Sequence, residues 1–247
     1  MRAVVVAVLA AGCGRYGFQI DAPAGDAIAD ADTSGLVAWL PMDSLANDTT
    51  PDATGHGHDG ACSSVDSTCP VTVAGKISTA LRFDGVNDHL SIADAPDLQP
   101  STAFTVAVWV WIDAVPAPDY GCFANKVIGT GTNDSWQMCV TTSDQLYFGT
   151  DVTATDLGDA LYTSQTFPIN SWHHVAIAWD GTFKSLWFDG VEQARDQAAL
   201  GYDGNPVLLG YDLDNGTPKA AFAGILDDLR IYNRVLSSSE LATLAGI

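Results

Sequence analysis

The stretch SWHHVAIAWDGTFKSLWFDGVE, Ser171 to Glu192, holds the only adjacent histidine pair in the chain, His173-His174. Neighbouring imidazoles can ligate a metal or move a proton. The pattern around them argues for a simpler role. Val175, Ile177 and Trp179 alternate with His174, Ala176 and Ala178, Asp180-Gly181 follows, and Leu186 and Phe188 then alternate with Ser185 and Trp187. Strict alternation about an Asp-Gly pair predicts a hairpin. Successive strand side chains point to opposite faces, so His173 and His174 cannot grip one ion from one surface. The pair is expected to open a strand, one imidazole partly buried and one exposed.

Carboxylates are the other abundant reactive groups. All but two of the 30 acidic residues are aspartate, the exceptions being Glu192 beside a hairpin turn and Glu240 near the end of the chain. Aspartate suits turns, caps and oxygen-rich cation sites better than helix interiors. In GILDDLRIYNRV, Ile225, Asp227, Leu229 and Ile231 alternate with Leu226, Asp228, Arg230 and Tyr232. Asp227 is thus expected on an otherwise apolar side, where a buried carboxylate must be paired, hydrogen-bonded or bound to a cation. Nucleophilic and nucleotide chemistry find no support: there is no G-x-S-x-G elbow, no P-loop and no G-x-G-x-x-G run opening a helix.

The N-terminal MRAVVVAVLAAGCG carries Arg2, an apolar run from Ala3 to Ala11 and small residues before Cys13. The run is too short to span a bilayer and reads as an export signal. Leu9-Ala10-Ala11-Gly12-Cys13 resembles a bacterial lipobox, with Ala10 where the commonest pattern has Leu; residues 1–13 are expected to end in a lipid-modified Cys13 that tethers the protein to a membrane surface. Gly14 follows in place of an aspartate retention cue, so the expected address is the bacterial outer membrane, periplasmic or surface-exposed. The remaining Cys62, Cys69, Cys122 and Cys139 form an even set that suits disulfides in an oxidising compartment. Three pairings can be drawn, sequence-local partners being the simplest: Cys62 with Cys69 and Cys122 with Cys139. Thiolate zinc sites favour two tight C-x(2–4)-C pairs, and neither spacing fits.

These groups need a scaffold. At 247 residues and a net charge of -20, the chain can bury a full core, and its field repels phosphate backbones, which excludes nucleic acid as a partner. Residues 14–35, rich in Ala, Asp, Gly and Pro, read as a flexible acidic linker, and structure is expected over 36–247. From Leu36 onward, short apolar runs are punctuated by turn signals, Asp-Gly recurring at Asp59, Asp84, Asp180, Asp189 and Asp203. This predicts antiparallel β-structure. In AFTVAVWVWID both alternating sets are apolar, which predicts a central strand covered on both sides or one with a ligand platform outside. Only LSSSELATLAGI looks helical: Ser237 and Glu240 make a capping box, and Leu241 and Leu244 a short apolar stripe.

The segments LVAWLPMDSLANDTTPDATGHGHDG, ALRFDGVNDHLSI, FTVAVWVWI, WHHVAIAWDGTFKSLWFDGVE and GILDDLRIYNRVLSSSELATL resemble, in order, those of the laminin G-like, concanavalin A-like jelly-roll domain of bacterial surface proteins. The family's usual Asn-Gly-Asn-Asp-Gly-like loop stands here as Thr54-Gly55-His56-Gly57-His58-Asp59-Gly60, and the insertion with Cys62 and Cys69 lies outside the common pattern. The resemblance implies an all-β fold, a two-sheet antiparallel sandwich with a short C-terminal helix. It implies a binding or adhesion module for glycans or cell-surface proteins. It also implies one structural calcium ion, for which Asp43 and Asp227, with Asp59 as a third, are the candidate ligands, backbone carbonyls and water supplying the rest. Trp109, Trp111, Trp136, Trp172, Trp179 and Trp187 are candidates for stacking on sugars, although tryptophan is more often core. Related jelly rolls include glycosidases, which commonly carry a Glu-x-Asp-x-Glu-type run; none exists here, so the alternative, a glycoside hydrolase, would have to use an aspartate pair.

Overall fold

The computed structural model describes residues 32–129, 131–151 and 160–247. The export signal, the lipidation of Cys13 and most of the linker fall outside the described residues. In chain order the strands are β1 (Leu36–Leu40), β2 (Thr49–Thr50), β3 (Gly60–Ala61), β4 (Val71–Ala74), β5 (Thr79–Asp84), β6 (Leu90–Ile92), β7 (Phe104–Ile112), β8 (Gly121–Ile128) and β9 (Asn133–Val140). They continue as β10 (Leu146–Asp151), β11 (Ala160–Tyr162), β12 (Trp172–Trp179), β13 (Phe183–Phe188), β14 (Val191–Gln197), β15 (Val207–Leu209), β16 (Asp212–Asp214), β17 (Thr217–Lys219) and β18 (Ala223–Tyr232). Among the described residues, one 3-10 turn spans Pro96–Leu98, and one helix, α1, spans Ser238–Leu244.

One sheet runs β14-β13-β12-β7-β18-β5-β4, with β1 also on β18; the other runs β11-β10-β9-β8-β15-β6-β3-β2. All their pairings are antiparallel. The two layers close on a core to which β7 gives Val106, Val108, Val110 and Ile112, β12 gives Val175 and Ile177, β9 gives Met138 and Val140, and β10 gives Leu146 and Phe148. The fold is the antiparallel β-sandwich of a concanavalin A-like jelly roll. Its alternating apolar residues supply the inner faces, and removing that surface from water is the main driving force.

The central strand and the hairpin read from the sequence are both present. β7 pairs with β12 and β18, and β12 pairs with β13 across Asp180–Phe183. The capping box forms as the residue types require: Ser237 Oγ accepts from Glu240 N–H while Glu240 accepts from Ser237 N–H. Leu241 and Leu244 of α1, with Leu236, pack on Ala107, Ala176 and Tyr232, sealing part of the outer face of the β7 sheet.

β18 departs from simple alternation. Its pairing with β7 shifts register between Asp227 and Arg230, and Asp228 adopts φ 51. Ile225 and Asp227 lie opposite Trp111 and Trp109, on the outer side, whereas Leu229 and Ile231 join the core. An extra residue in a bulge flips every later side chain to the other face. Asp227 therefore does not share a side with Leu229 and Ile231.

Candidate functional site

Two of the three aspartates that the family resemblance nominates converge on the turn between β4 and β5. Asp43 Oδ1 accepts from Thr79 N–H at 3.1 Å, and Asp227 Oδ2 accepts from Ile77 N–H at 2.8 Å. Gly75 permits the approach: a Cβ there would lie 2.6 Å from Asp227 Oδ2 and 2.8 Å from Thr79 backbone. Asp227 is fully buried, and its Oδ1 has no hydrogen-bond partner. Burial, aided by the charges of Asp228 and Asp43 and opposed by the Ile77 and Lys76 N–H groups, pushes its carboxyl up to about 7. Asp59 goes elsewhere, its Oδ1 accepting from Asp52 N–H at 2.7 Å. Nothing in the alternation of WLPMD or LDDL separates Asp59 from the other two; the difference lies in which loop each strand end meets.

The histidine pair divides as strand geometry demands, but neither ring is exposed. His174 faces outward against Trp109, ring centroids 5.4 Å apart, and is buried beneath its neighbours. Burial pushes its imidazole down to about 3, against the pull of Asp189 and with a further push from Arg230. It stays neutral near pH 7. His173 packs between Phe167 and Phe188. Its Nδ1 lies 2.8 Å from Asp189 Oδ2 and its Nε2 2.8 Å from Ser171 Oγ.

A row of aromatic groups lies on the outer face of the other sheet. Cys122 of β8 sits opposite Cys139 of β9, Cys139 opposite Tyr147 of β10, and Tyr147 opposite Tyr162 of β11, so all four side chains share one face. The Cys122–Cys139 and Cys62–Cys69 disulfides are both formed. Tyr147 lies 5.4 Å, centroid to centroid, from both Tyr162 and Tyr120, and the Tyr162 and Tyr120 phenol groups also interact, so the three rings form one cluster. Tyr120 also lines a rim cleft of about 570 Å³ with His89, Pro116, Tyr211, Lys219 and Phe222. His89 meets Tyr211 edge-on at 4.4 Å. Beside the cleft, burial pushes the Asp212 carboxyl up to about 6, its own bond from Leu213 N–H opposing and the charges of Asp214 and Asp119 adding to the rise.

The tryptophans do not build this face. Trp136 and Trp179 are core, and Trp109 is buried on the opposite sheet. The signal for the tyrosines was available in the alternation of Tyr147 with the buried Leu146 and Phe148, and of Tyr162 with Leu161. It places a half-buried aromatic on the solvent face, where the polar hydroxyl can stay wet.

The family described as Concanavalin A-like lectin/glucanases superfamily matches residues 84–242. Among characterised proteins, adhesion G-protein coupled receptor V1 of Danio rerio is 25% identical over 162 residues, which are 62% of this chain and 2% of that protein. Among solved structures, the binding domain of Paraclostridial Mosquitocidal Protein 1 superposes with a TM-score of 0.68 at 18% identity, over 86% of this chain and 52% of that one. A Trypanosoma rangeli sialidase gives 0.67 at 19%, over 87% of this chain and 33% of that one. Domain 4 of AbnA, a GH43 extracellular arabinanase from Geobacillus stearothermophilus, was solved in complex with arabinotriose. It gives 0.60 at 19%, over 85% of this chain and 98% of that one. This chain spans a small fraction of the receptor, about half of the mosquitocidal chain and a third of the sialidase.

Proposed function

This chain belongs to the concanavalin A-like lectin/glucanases superfamily, and from that membership we propose that it is a non-enzymatic binding module for glycans. The ligand lies along Tyr162, Tyr147 and Tyr120 and ends in the rim cleft. The observation that carries the reading is the tyrosine cluster itself, Tyr147 with Tyr162 and Tyr120 each 5.4 Å away and Tyr120 bordering a concavity. Aromatic faces stack on the apolar faces of sugar rings while phenol groups hydrogen-bond to hydroxyls. The arabinotriose complex of the arabinanase domain, which this chain resembles along nearly its full length, supports the same class of ligand. A glycan array followed by calorimetry tests it. Binding to an oligosaccharide, weakened by Tyr147→Ala, is the expected result; a blank array with a folded protein would refute it.

The two disulfides support a working place outside the cytoplasm. There the lipobox-like segment ending in Cys13 would tether the module to the bacterial cell envelope. Mass spectrometry of Cys13 from native membranes tests the tether, and an unmodified thiol there would exclude it.

The Asp43–Asp227 cradle fits the structural calcium ion that the family resemblance implies, because a buried carboxylate oxygen without a partner is what a hard cation satisfies. Asp43 and Asp227 would hold the ion, which would neutralise a carboxylate whose charge burial disfavours. Addition of calcium to chelator-treated protein should raise Tm, and Asp227→Asn should remove the response.

One observation favours a second reading, glycoside hydrolysis: burial raises the Asp212 carboxyl to about 6 and the charge of Asp119, which lines the cleft, adds to the rise, so two neighbouring aspartates stand where an acid and its partner would be needed. Release of reducing ends that Asp212→Asn abolishes would establish it.

A further inference from the structure

We propose that His56, His58 and Asp97 form a zinc site that clasps the β2–β3 loop to the 3-10 turn. The proposal is independent of the glycan and calcium readings.

One ligating atom from each residue can be chosen so that all lie within 4.8 Å of one another. His58 is buried, and its Nε2 lies 3.0 Å from Asp97 Oδ2. Two ligands on a tetrahedral zinc, each about 2.0–2.1 Å from it, are on the order of 3.3 Å apart. The separation found is therefore close to the one the ion imposes.

The tautomer of His56 is fixed by its surroundings. Its Nδ1 lies 2.8 Å from the Val37 carbonyl, which can only accept, so Nδ1 carries the proton and Nε2 presents a lone pair. Metal-binding imidazoles are commonly oriented by such a bond from the other ring nitrogen.

The loop holding both rings is built before any ion arrives. Asp52 Oδ1 accepts from Trp39 N–H and Thr54 N–H, each at 3.0 Å, and Asp52 Oδ2 accepts from His58 N–H at 3.2 Å. Gly55 and Gly57, at φ 78 and 88, allow the tight curl on either side of His56. Asp97 is held from the other side, on a turn whose Leu98 is anchored in the core. Asp97 is about half exposed and His56 is exposed, so both can close onto an ion without disturbing the interior.

The donor set selects the metal. Two imidazoles and one carboxylate suit zinc, whereas calcium prefers oxygen alone. Three protein ligands leave the fourth position to water. The other described group with metal-like spacing, Asp48 with Cys62 and Cys69, is excluded because its sulfurs are joined in a disulfide.

The test uses the full chain with disulfides intact, the Cys13 thiol alkylated if free, and metal removed by chelator. Titration with zinc chloride should show one equivalent bound in calorimetry. A hundredfold excess over Kd should raise Tm by about 5 °C or more. His56→Ala and Asp97→Ala should each weaken zinc by about tenfold or more, while His89→Ala leaves it unchanged and calcium does not compete. Absence of binding and of any Tm change would overturn the proposal, leaving His58–Asp97 a hydrogen bond only. So would equal zinc affinity in all three variants, since zinc would then be held elsewhere. Glycan affinity is expected to be indifferent to zinc, because the loop lies at the β2 edge of the sheet and the tyrosine row runs to the β11 edge.

Discussion

His173 Nδ1 lies 2.8 Å from Asp189 Oδ2, joining the start of β12 to the turn after β13. The carboxyl is pushed up by burial, but bonds from the His173 ring and His174 N–H outweigh that and hold it below the usual carboxylate range. Ionised Asp189 accepts, so Nδ1 donates and Nε2 is left to accept from Ser171, 2.8 Å away. The order of contacts is that of an activated serine. Its setting is that of a packed corner: the ring lies between Phe167 and Phe188, and Asp189 Oδ1 is engaged by His174 N–H at 2.9 Å. A fluorophosphonate probe is therefore expected to leave Ser171 unlabelled, and Asp189→Ala to lower Tm. Covalent labelling at Ser171 would defeat the non-enzymatic reading.

The outermost tyrosine offers the cleanest test of the ligand face. Tyr162 is 42% exposed, so truncation there spares the core. Loss of one stacking contact is worth about 0.5–1.5 kcal/mol, hence Tyr162→Ala should weaken glycan binding by about 2- to 13-fold with unchanged Tm. Calorimetry on wild type and variant decides it.

Asp227 makes stability depend on pH. Its folded value, raised to about 7, exceeds the ordinary carboxylate value, so the folded state binds the extra proton. The stabilisation linked to that proton is complete below about pH 4 and is lost as pH rises through about 7, at most about 4 kcal/mol. Asp227→Asn should flatten this slope and stabilise the calcium-free protein at pH 8. Urea unfolding across pH 4 to 8 measures both; parallel profiles for the two proteins would contradict the assignment.

The disulfide between Cys122 and Cys139 closes a loop with a sequence separation of 17 and sits in the same cross-strand row as Tyr147 and Tyr162. Chain-entropy arguments give about 3 kcal/mol for a loop of this size. Replacing both cysteines by alanine should cost roughly that much in urea unfolding and should also weaken glycan binding. Loss of stability with unaltered affinity would show that the bridge does not hold the row.

Layering, the central β7, the β12–β13 hairpin, the capped helix and the sequence-local disulfides were all legible, because each rests on local signals: alternation, Asp-Gly turns, a Ser-x-x-Glu box and short cysteine spacings. Asp43, Asp227 and Asp59 were nominated by a family resemblance, and only the first two meet at the β4–β5 turn. The face assignment of Asp227 was not legible, since a bulge depends on the partner strand and leaves Leu226 and Leu229 apolar either way. Tyr120, Tyr147 and Tyr162 escaped notice because they come from distant segments, and only register across β8 to β11 aligns them. His56, His58 and Asp97 were hidden similarly, the third ligand standing 39 residues from the second.

Helix α1 occupies part of the back of the sandwich, where Leu241 and Leu244 cover Ala107, Ala176 and Tyr232. That patch is closed to partners, which leaves the tyrosine cluster on the other sheet as the face for the proposed ligand. A polymer laid there would be held over one short stretch by each copy, and copies arrayed side by side on one surface would multiply the hold.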